Sequence, residues 1–344
     1  MAAVPITAYA LANALGSDTE TVVEGLFTGR SGLVTGAAAT EGLLPFEPAC
    51  REGLSGRHAR LAGHVVSLAE SSIAAACRRW GAHRVGIVVG SSVADLEVQQ
   101  LVTGARGPTF VVSTGCTSSA KALGSAQRSI GAGFADAMLV IGIETSSPTV
   151  QQDLDALSST RCRPFCTERR GANLGEGAAL LLLERTGDTH VALVAVGEAN
   201  EPEPTDGSQI EGSGLEAAMR RALELGDVDP AQIGHVQAHA TGSTEGDAAE
   251  ARAIRRVLGE RVPVVSTKGY TGHLLSAAGA TGAVLAAISM ERGWLPASIG
   301  CEPLDSRLGI RVMLERTQIE SDYALCTSVS PSGSCAAVLL GVRG

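Results

Sequence analysis

Gly107–Gly133 reads GPTFVVSTGCTSSAKALGSAQRSIGAG. An apolar run rich in β-branched residues ends at Ser113, the tight turn Thr114-Gly115-Cys116 follows, and a helix of small residues starts near Thr117. The hydrophobic pattern changes there from that of a buried strand to that of a helix. Cys116 therefore stands at a helix N-terminus, where unpaired backbone N–H groups and the helix dipole favour a thiolate. Most isolated cysteines are small buried hydrophobes; it is the placement that makes this one a candidate nucleophile.

Two histidines occupy similar places further along. His239 lies in HVQAHATGSTEGDAAEARAI, just beyond an apolar strand and before a Thr/Gly/Ser turn that leads into a helix. His273 lies in VVSTKGYTGHLLSAAGATGAVLAAI, again in a glycine-rich turn between strand and helix. Loops beyond strand ends of an α/β sheet converge on one site. A thiol and two imidazoles converging there make a nucleophile with an acid–base pair.

Around these turns, strand-like and helix-like segments alternate. Strands are expected at Val85–Val89, Phe110–Ser113, Met138–Ile143, Ala178–Leu183, Val191–Val196, His235–Ala238, Val262–Val265, Ala324–Ser328 and Ala336–Leu340. Helices are expected at Thr19–Thr28, Leu61–Arg79, Ser118–Gly131, Gly214–Leu225, Asp247–Leu258 and Ala280–Glu291. The alternation defines an α/β protein with a largely buried sheet. The polar stretch Glu198–Gly214 reads as a linker, dividing the chain into an N-terminal half, 1–197, and a C-terminal half, 198–344.

Composition narrows the function. The chain has 344 residues, 44% of them hydrophobic, enough for a large core. Its 42 glycines and 3% aromatics imply close approach of helices and strands. A net charge of −9 argues against a nucleic-acid or anionic-membrane surface. The eight cysteines follow neither a disulfide nor a zinc spacing; Cys162 and Cys166 have no matching second pair, so no metal site is expected. The N-terminus lacks a basic, apolar leader, and no segment reaches the ~20 apolar residues of a membrane span. A cytoplasmic protein is the expectation.

Five segments, in order, resemble β-ketoacyl synthases of fatty-acid and polyketide assembly: ITAYALANALGSDTETVVEGLFTGRSGL, ARGPTFVVSTGCTSSA, RPFCTERRGANLGEGAALLLLE, QAHATGSTEGDAAEARAI and STKGYTGHLLSAAGA. The resemblance covers nearly the whole chain. It implies a thiolase-like fold, two similar α/β halves packed in five layers, α-β-α-β-α. It implies that Cys116 takes an acyl group from a phosphopantetheine thioester on an acyl carrier protein or coenzyme A, with no cofactor bound. His239 and His273 would polarise a second, malonyl-type thioester and stabilise the enolate left by decarboxylation. Lys268 would support them, Thr241 and Ser243 would hydrogen-bond the pantetheine arm, and Glu176 would be a buried structural acid. An acyl carrier protein and a second chain, in a homodimer or a heterodimer with another ketosynthase-like subunit, are the implied partners.

Three departures bear on substrate. Family members carry several tens of residues between segments joined here by Leu101-Val102-Thr103-Gly104. The family's Asp-Gly-Phe is Arg170-Gly171-Ala172, which removes an aromatic gate at Ala172. Its Phe-Gly-Phe-Gly-Gly turn aligns with Val329-Ser330-Pro331-Ser332-Gly333, placing Pro331, which has no N–H, and Ser332 where an oxyanion-hole amide is expected. These keep two alternatives open beside the condensing enzyme: a thioesterase or non-elongating acyltransferase on the same scaffold, and a non-catalytic subunit of the chain-length-factor kind.

Overall fold

A computed structural model describes residues 2–36, 40–48, 56–92, 104–145, 157–202 and 211–343. Residues 101–103 of the short join and 203–210 of the polar stretch lie outside the described residues.

Eleven strands make the main sheet: β1 (Val4–Asn13), β2 (Val85–Ser91), β3 (Thr109–Val112), β4 (Ala137–Glu144), β5 (Gly177–Glu184), β6 (Val191–Asn200), β7 (Ile233–Gln237), β8 (Pro263–Val265), β9 (Arg311–Val312), β10 (Tyr323–Val329) and β11 (Ser334–Val342). Their order is β9-β8-β7-β10-β11-β6-β1-β5-β4-β2-β3. β1 joins the two halves. Val4 and Pro5 pair with β6, whereas Ile6 and Ala8 to Asn13 pair with β5, with an irregularity between Ile6 and Ala8.

The principal helices are α1 (Thr19–Phe27), α2 (Gly56–Leu68), α3 (Glu70–Trp80), α4 (Ser118–Gly131), α5 (Ser213–Gly226), α6 (Thr244–Leu258), α7 (Lys268–Thr271) and α8 (Ala278–Arg292). α4 packs on β4 and β2 of the first half-sheet and on β6 and β11 of the second; α8 packs on β10 and β11 and also on β5 and β4. Both thus form a central layer. α2 covers the outer face of the first half-sheet, and α5, backed by α6, covers that of the second. The five-layer order follows, with one apolar core between the half-sheets and one under each outer layer.

The central layer explains the glycine content. α8 is buried from Ala278 to Met290 except at the partly open Gly282, as expected for a helix apolar on all sides. A Cβ on Gly279 would lie 2.6 Å from the backbone nitrogen of Ala120 in α4. A Cβ on Gly142 of β4 would lie 2.8 Å from that of Ser119 and 2.9 Å from that of Ala280. At these two positions any side chain would collide with the facing element.

Several elements differ from expectation, among them the short β9 and α7, which no expected segment covers. β1 has no counterpart among the expected strands; its sequence, VPITAYALAN, mixes good helix formers with one proline and shows no alternation, because both faces are covered. The single helix expected over Leu61–Arg79 is broken at Ala69, whose φ of −110° and ψ of 10° leave the helical region. The apolar stripe of Leu61, Val65, Ile73 and Ala76 continues across the break, so periodicity does not reveal it. The polar stretch begins later than expected too: Glu198, Ala199 and Asn200 belong to β6 and pair with β11, so the division at 197/198 falls inside a strand.

Candidate active site

The C-terminal ends of β3, β7 and β8 lead to Cys116, His239 and His273, and the β10–β11 hairpin ends beside them. At the end of β3 the chain turns through Gly115, whose φ of 63° suits glycine. The turn is tied by its own hydroxyls: Thr117 Oγ1 donates to the Thr114 carbonyl at 2.8 Å, Ser118 Oγ to the Gly115 carbonyl at 2.6 Å, and Thr114 N–H to Ser118 Oγ at 2.9 Å. Thr117 is the N-cap of α4, so Cys116 sits one residue outside the helix.

Cys116 is only 3% exposed, and burial pushes its thiol up to about 12; the positive charge of Lys268 and its own N–H oppose this, and Glu144 adds to it. The thiolate expected from the helix N-terminus is therefore outweighed by desolvation in the resting site. His273 Nε2 lies 3.0 Å from Cys116 Sγ. The His239 and His273 rings meet edge to face, centroids 4.9 Å apart at 88°.

Both imidazoles are held neutral. Burial lowers His239 to about 3, with help from Lys268. Burial also takes His273 well below its ordinary value, with His239 and Lys268 adding to the shift. Burial pulls Lys268 down as well, while Glu250 pushes back. The Nδ1 atoms of both histidines are buried without a hydrogen-bond partner. A neutral imidazole donates one N–H and accepts at the other nitrogen, so the pair can offer donors to a carbonyl oxygen without carrying charge.

The turns bearing the histidines are held from a distance. Glu250 of α6 accepts the N–H groups of His239 at 2.8 Å and Ala240 at 2.7 Å and the Thr327 hydroxyl at 2.5 Å. Asp247 accepts Gly242 N–H at 3.1 Å and Phe165 N–H at 2.8 Å, and burial raises it to about 7. His273 N–H donates to the Asn173 carbonyl at 2.7 Å, and Gly175 N–H to the His273 carbonyl at 3.0 Å. Glu144, at the end of β4, accepts the hydroxyls of Ser276 at 2.6 Å and Ser92 at 2.9 Å.

The other expected residues fall into place around this centre. Thr241 and Ser243 are half-buried in the turn after His239, and the Ser243 hydroxyl does not cap α6. Ala172 is buried and its carbonyl accepts from Ser158 N–H at 2.8 Å. Glu176 faces away from the histidines: its carboxylate takes Arg57 Nε at 2.9 Å and NH2 at 2.8 Å. Pro331 and Ser332 are exposed at the tip of the β10–β11 hairpin. It is Ser330 that meets the nucleophile turn, its Oγ 2.5 Å from where a Cβ on Gly115 would be. Glu250, Asp247, Glu144 and Asn173 were not singled out from sequence; the acidic positions after His239, in GDAAE, were the available signal for two of them. Among the described residues, no cluster of three or more His, Cys, Asp or Glu side chains is arranged to hold a metal, and no helix is long and apolar enough to cross a membrane.

The two packed half-sheets, with a buried cysteine beside two histidines, define a thiolase-like α/β protein. Models of the β-ketoacyl synthase N-terminal and C-terminal domains match residues 81–189 and 192–302, and the chain belongs to that family. It is 34% identical over 257 residues to 3-oxoacyl-[acyl-carrier-protein] synthase 2 of Vibrio cholerae, covering 68% of this chain and 62% of that protein. It is 32% identical over 233 residues to the mitochondrial 3-oxoacyl-[acyl-carrier-protein] synthase of Arabidopsis thaliana, covering 61% of this chain and 50% of that protein. The chain thus spans less than two thirds of the length of these curated relatives. Among solved structures, a chain of the ketosynthase–chain length factor complex of Xenorhabdus doucetiae superposes with a TM-score of 0.87 at 28% identity, covering 99% of this chain and 98% of that one.

Proposed function

We propose that this protein is a condensing enzyme that forms an acyl thioester on Cys116 and joins it to a malonyl-type thioester. The observation that carries the reading is the approach of neutral His273 Nε2 to Cys116 Sγ, 3.0 Å, with His239 edge-on beside it. In the first step Cys116 sulfur attacks the donor thioester, its proton leaves toward His273, and the pantetheine thiol departs. In the second, the malonyl carboxylate leaves as carbon dioxide, and its bonding pair remains as an enolate held by N–H donors of His239 and His273. The enolate carbon then attacks the acyl-Cys116 carbonyl and expels the Cys116 sulfur. Preorganised donors in a dry site are where such an anion gains most.

The donor end of the reading is an acidic carrier protein or coenzyme A, both bearing a phosphopantetheine arm. An open depression of about 210 Å³ lined by Arg161, Arg163, Arg170, Glu168, Ser158 and Thr160 offers clustered cations on a chain of net charge −9. Pairing with a second chain is supported by β3, which ends the sheet with one edge unpaired among the described residues. A partner-subunit role, suggested by the Xenorhabdus complex, is disfavoured by the intact Cys–His–His arrangement.

The test is intact-protein mass spectrometry with a panel of acyl and malonyl thioesters on carrier protein and coenzyme A. A stable acyl adduct on wild type, absent from Cys116→Ala, together with carbon dioxide release from malonyl thioester, is the expected result. An adduct retained in Cys116→Ala, or no adduct with any donor, defeats the reading.

A further inference from the structure

We infer that Leu275 is the residue that limits which acyl groups reach Cys116, a statement that rests on Cys116 being the acylated residue. Cys116 as a residue is only 3% exposed, so a thioester carbonyl reaching it has to displace part of its cover. Cys116, Leu174 and Leu275 form a small apolar cluster of their own, separate from the three cores. The two leucines therefore form the apolar cover of the nucleophile among the described residues.

They are not equally fixed. Leu174 lies in an extended segment bonded on both sides: its carbonyl accepts Gly42 N–H at 2.8 Å, and it bridges to His273. Leu275 instead opens a short 3₁₀ turn with a φ of 42°, the left-handed region that a branched side chain rarely adopts. Nothing in leucine itself favours that conformation, so its neighbours must hold it. The Ser276 hydroxyl does so, lying 2.7 Å from the Ile143 carbonyl and 2.6 Å from Glu144 Oε2. Backbone strain persists only where the surroundings hold it, and it clusters at ligand clamps and switch regions. Rotation of Leu275 away from Cys116 opens the thiol on the apolar side, and the volume its side chain can vacate sets the size of acyl group admitted. Leu274, one residue earlier, is unsuited to this part, because it packs into the close glycine positions Gly175 and Gly177.

The experiment compares wild type with Leu275→Gly, Leu275→Ala and Leu275→Phe. Cys116 alkylation is followed by peptide-resolved mass spectrometry with a small reagent, iodoacetamide, and a bulky one, N-benzylmaleimide; acylation is then followed with straight-chain thioesters of two to ten carbons. Leu275→Gly accepts φ of 42° without strain and so keeps the turn, and circular dichroism verifies folding. The inference expects the bulky-to-small rate ratio to rise at least tenfold in Leu275→Gly and Leu275→Ala and to fall in Leu275→Phe, with the acyl preference moving to longer chains in the first two. A ratio within twofold of wild type in both small variants, or an unchanged chain-length profile with normal acylation, overturns it and leaves the condensing reading intact. A raised ratio with no acylation by any thioester supports Leu275 as the cover of the thiol and defeats the condensing reading instead.

Discussion

The turn that carries Cys116 and the turns that carry the histidines are built on different principles. The first is tied by hydroxyls that are near neighbours in sequence: Thr114, Thr117 and Ser118 bond within five residues. The others are tied by buried carboxylates from other elements: Glu250 reaches back to His239 and Ala240, and Glu144 crosses from the end of β4 to Ser276. The tethers of the nucleophile turn are neutral, and the charges that act on the sulfur, Lys268 and Glu144, come from elsewhere in the fold. Glu250 and Asp247 oppose the downward push that burial exerts on Lys268. The nucleophile is thus placed by local geometry, and the histidines by long-range electrostatics. Damage to the two regions should look different.

The largest effect is expected at the histidines. On the proposed mechanism His239→Ala or His273→Ala removes a donor to the enolate, and malonyl-thioester decarboxylation should drop about 10²–10³-fold. Acylation of Cys116 should fall less in His239→Ala, because only His273 touches the sulfur. Equal loss of both steps in His239→Ala, measured by single-turnover mass spectrometry, would show that the two histidines act as one unit in loading.

A third buried histidine isolates the cost of burial from chemistry. His235 lies on the same strand as the approach to His239 but is fully buried, with Nδ1 3.1 Å from Ser321 Oγ and Nε2 unpartnered. Burial lowers it from 6.5 to about 4. Above pH 6.5 it is neutral in the folded and the unfolded chain. Below that, the unfolded chain binds a proton that the folded chain refuses until pH about 4, so stability falls through this window by up to about 3 kcal/mol. Urea unfolding at pH 7 and pH 4.5 should show that loss, and His235→Asn should reduce it. An unchanged pH slope in the variant would place the acid sensitivity on His239 and His273 alone.

The two kinds of tether should also differ in stability. Glu250→Ala leaves the buried Ala240 N–H without its acceptor, the His239 N–H with only the Thr327 hydroxyl at 2.9 Å and the Thr327 hydroxyl without its carboxylate, and about 2–3 kcal/mol is the expected loss. Thr117→Val removes a neutral hydroxyl bonded to the Thr114 carbonyl and near Ser334, 2.9 Å away, for about 1 kcal/mol. Equal losses by chemical denaturation would erase the distinction between local and remote tethering.

The same distinction decides what could be read from sequence. The strand, turn and helix around Cys116 were legible because the apolar run, the glycine and the small-residue helix are contiguous, and α4 matches its expected limits, Ser118–Gly131. The histidine turns were legible as strand–turn–helix passages, but their carboxylates were not. Glu144 lies 132 residues from Ser276, and no local pattern marks it as a clamp. Leu275 was invisible for another reason: its positive φ goes against the preference of leucine and is imposed by packing. β1 was missed because a strand covered on both faces and rich in alanine shows no alternation.

The smallest effects concern the hairpin beside the nucleophile turn, where proline stands in place of an expected N–H donor. The structure shifts attention from Pro331 to Ser330. The Ser330 N–H is taken by the Ser334 carbonyl at 2.8 Å and the Gly333 N–H by the Ser330 carbonyl at 2.9 Å, so neither backbone donor is free. Pro331 sits at the exposed tip. The Ser330 hydroxyl, by contrast, lies against Gly115, next to Cys116, and shares a hydrogen bond with Ser332 Oγ at 3.1 Å; on the proposed mechanism it is the candidate donor to an oxyanion on the Cys116 adduct. Ser330→Ala should therefore slow Cys116 acylation about tenfold, equivalent to about 1.4 kcal/mol of transition-state stabilisation, without changing the fold. Pro331→Ala should leave the rate within about twofold and cost about 0.4–1 kcal/mol of stability through added freedom of the unfolded chain. A tenfold acceleration by Pro331→Ala with no effect of Ser330→Ala would reverse the assignment: the tip amide would then be the donor this chain lacks, and the nucleophile turn would depend on a remote group just as the histidine turns do.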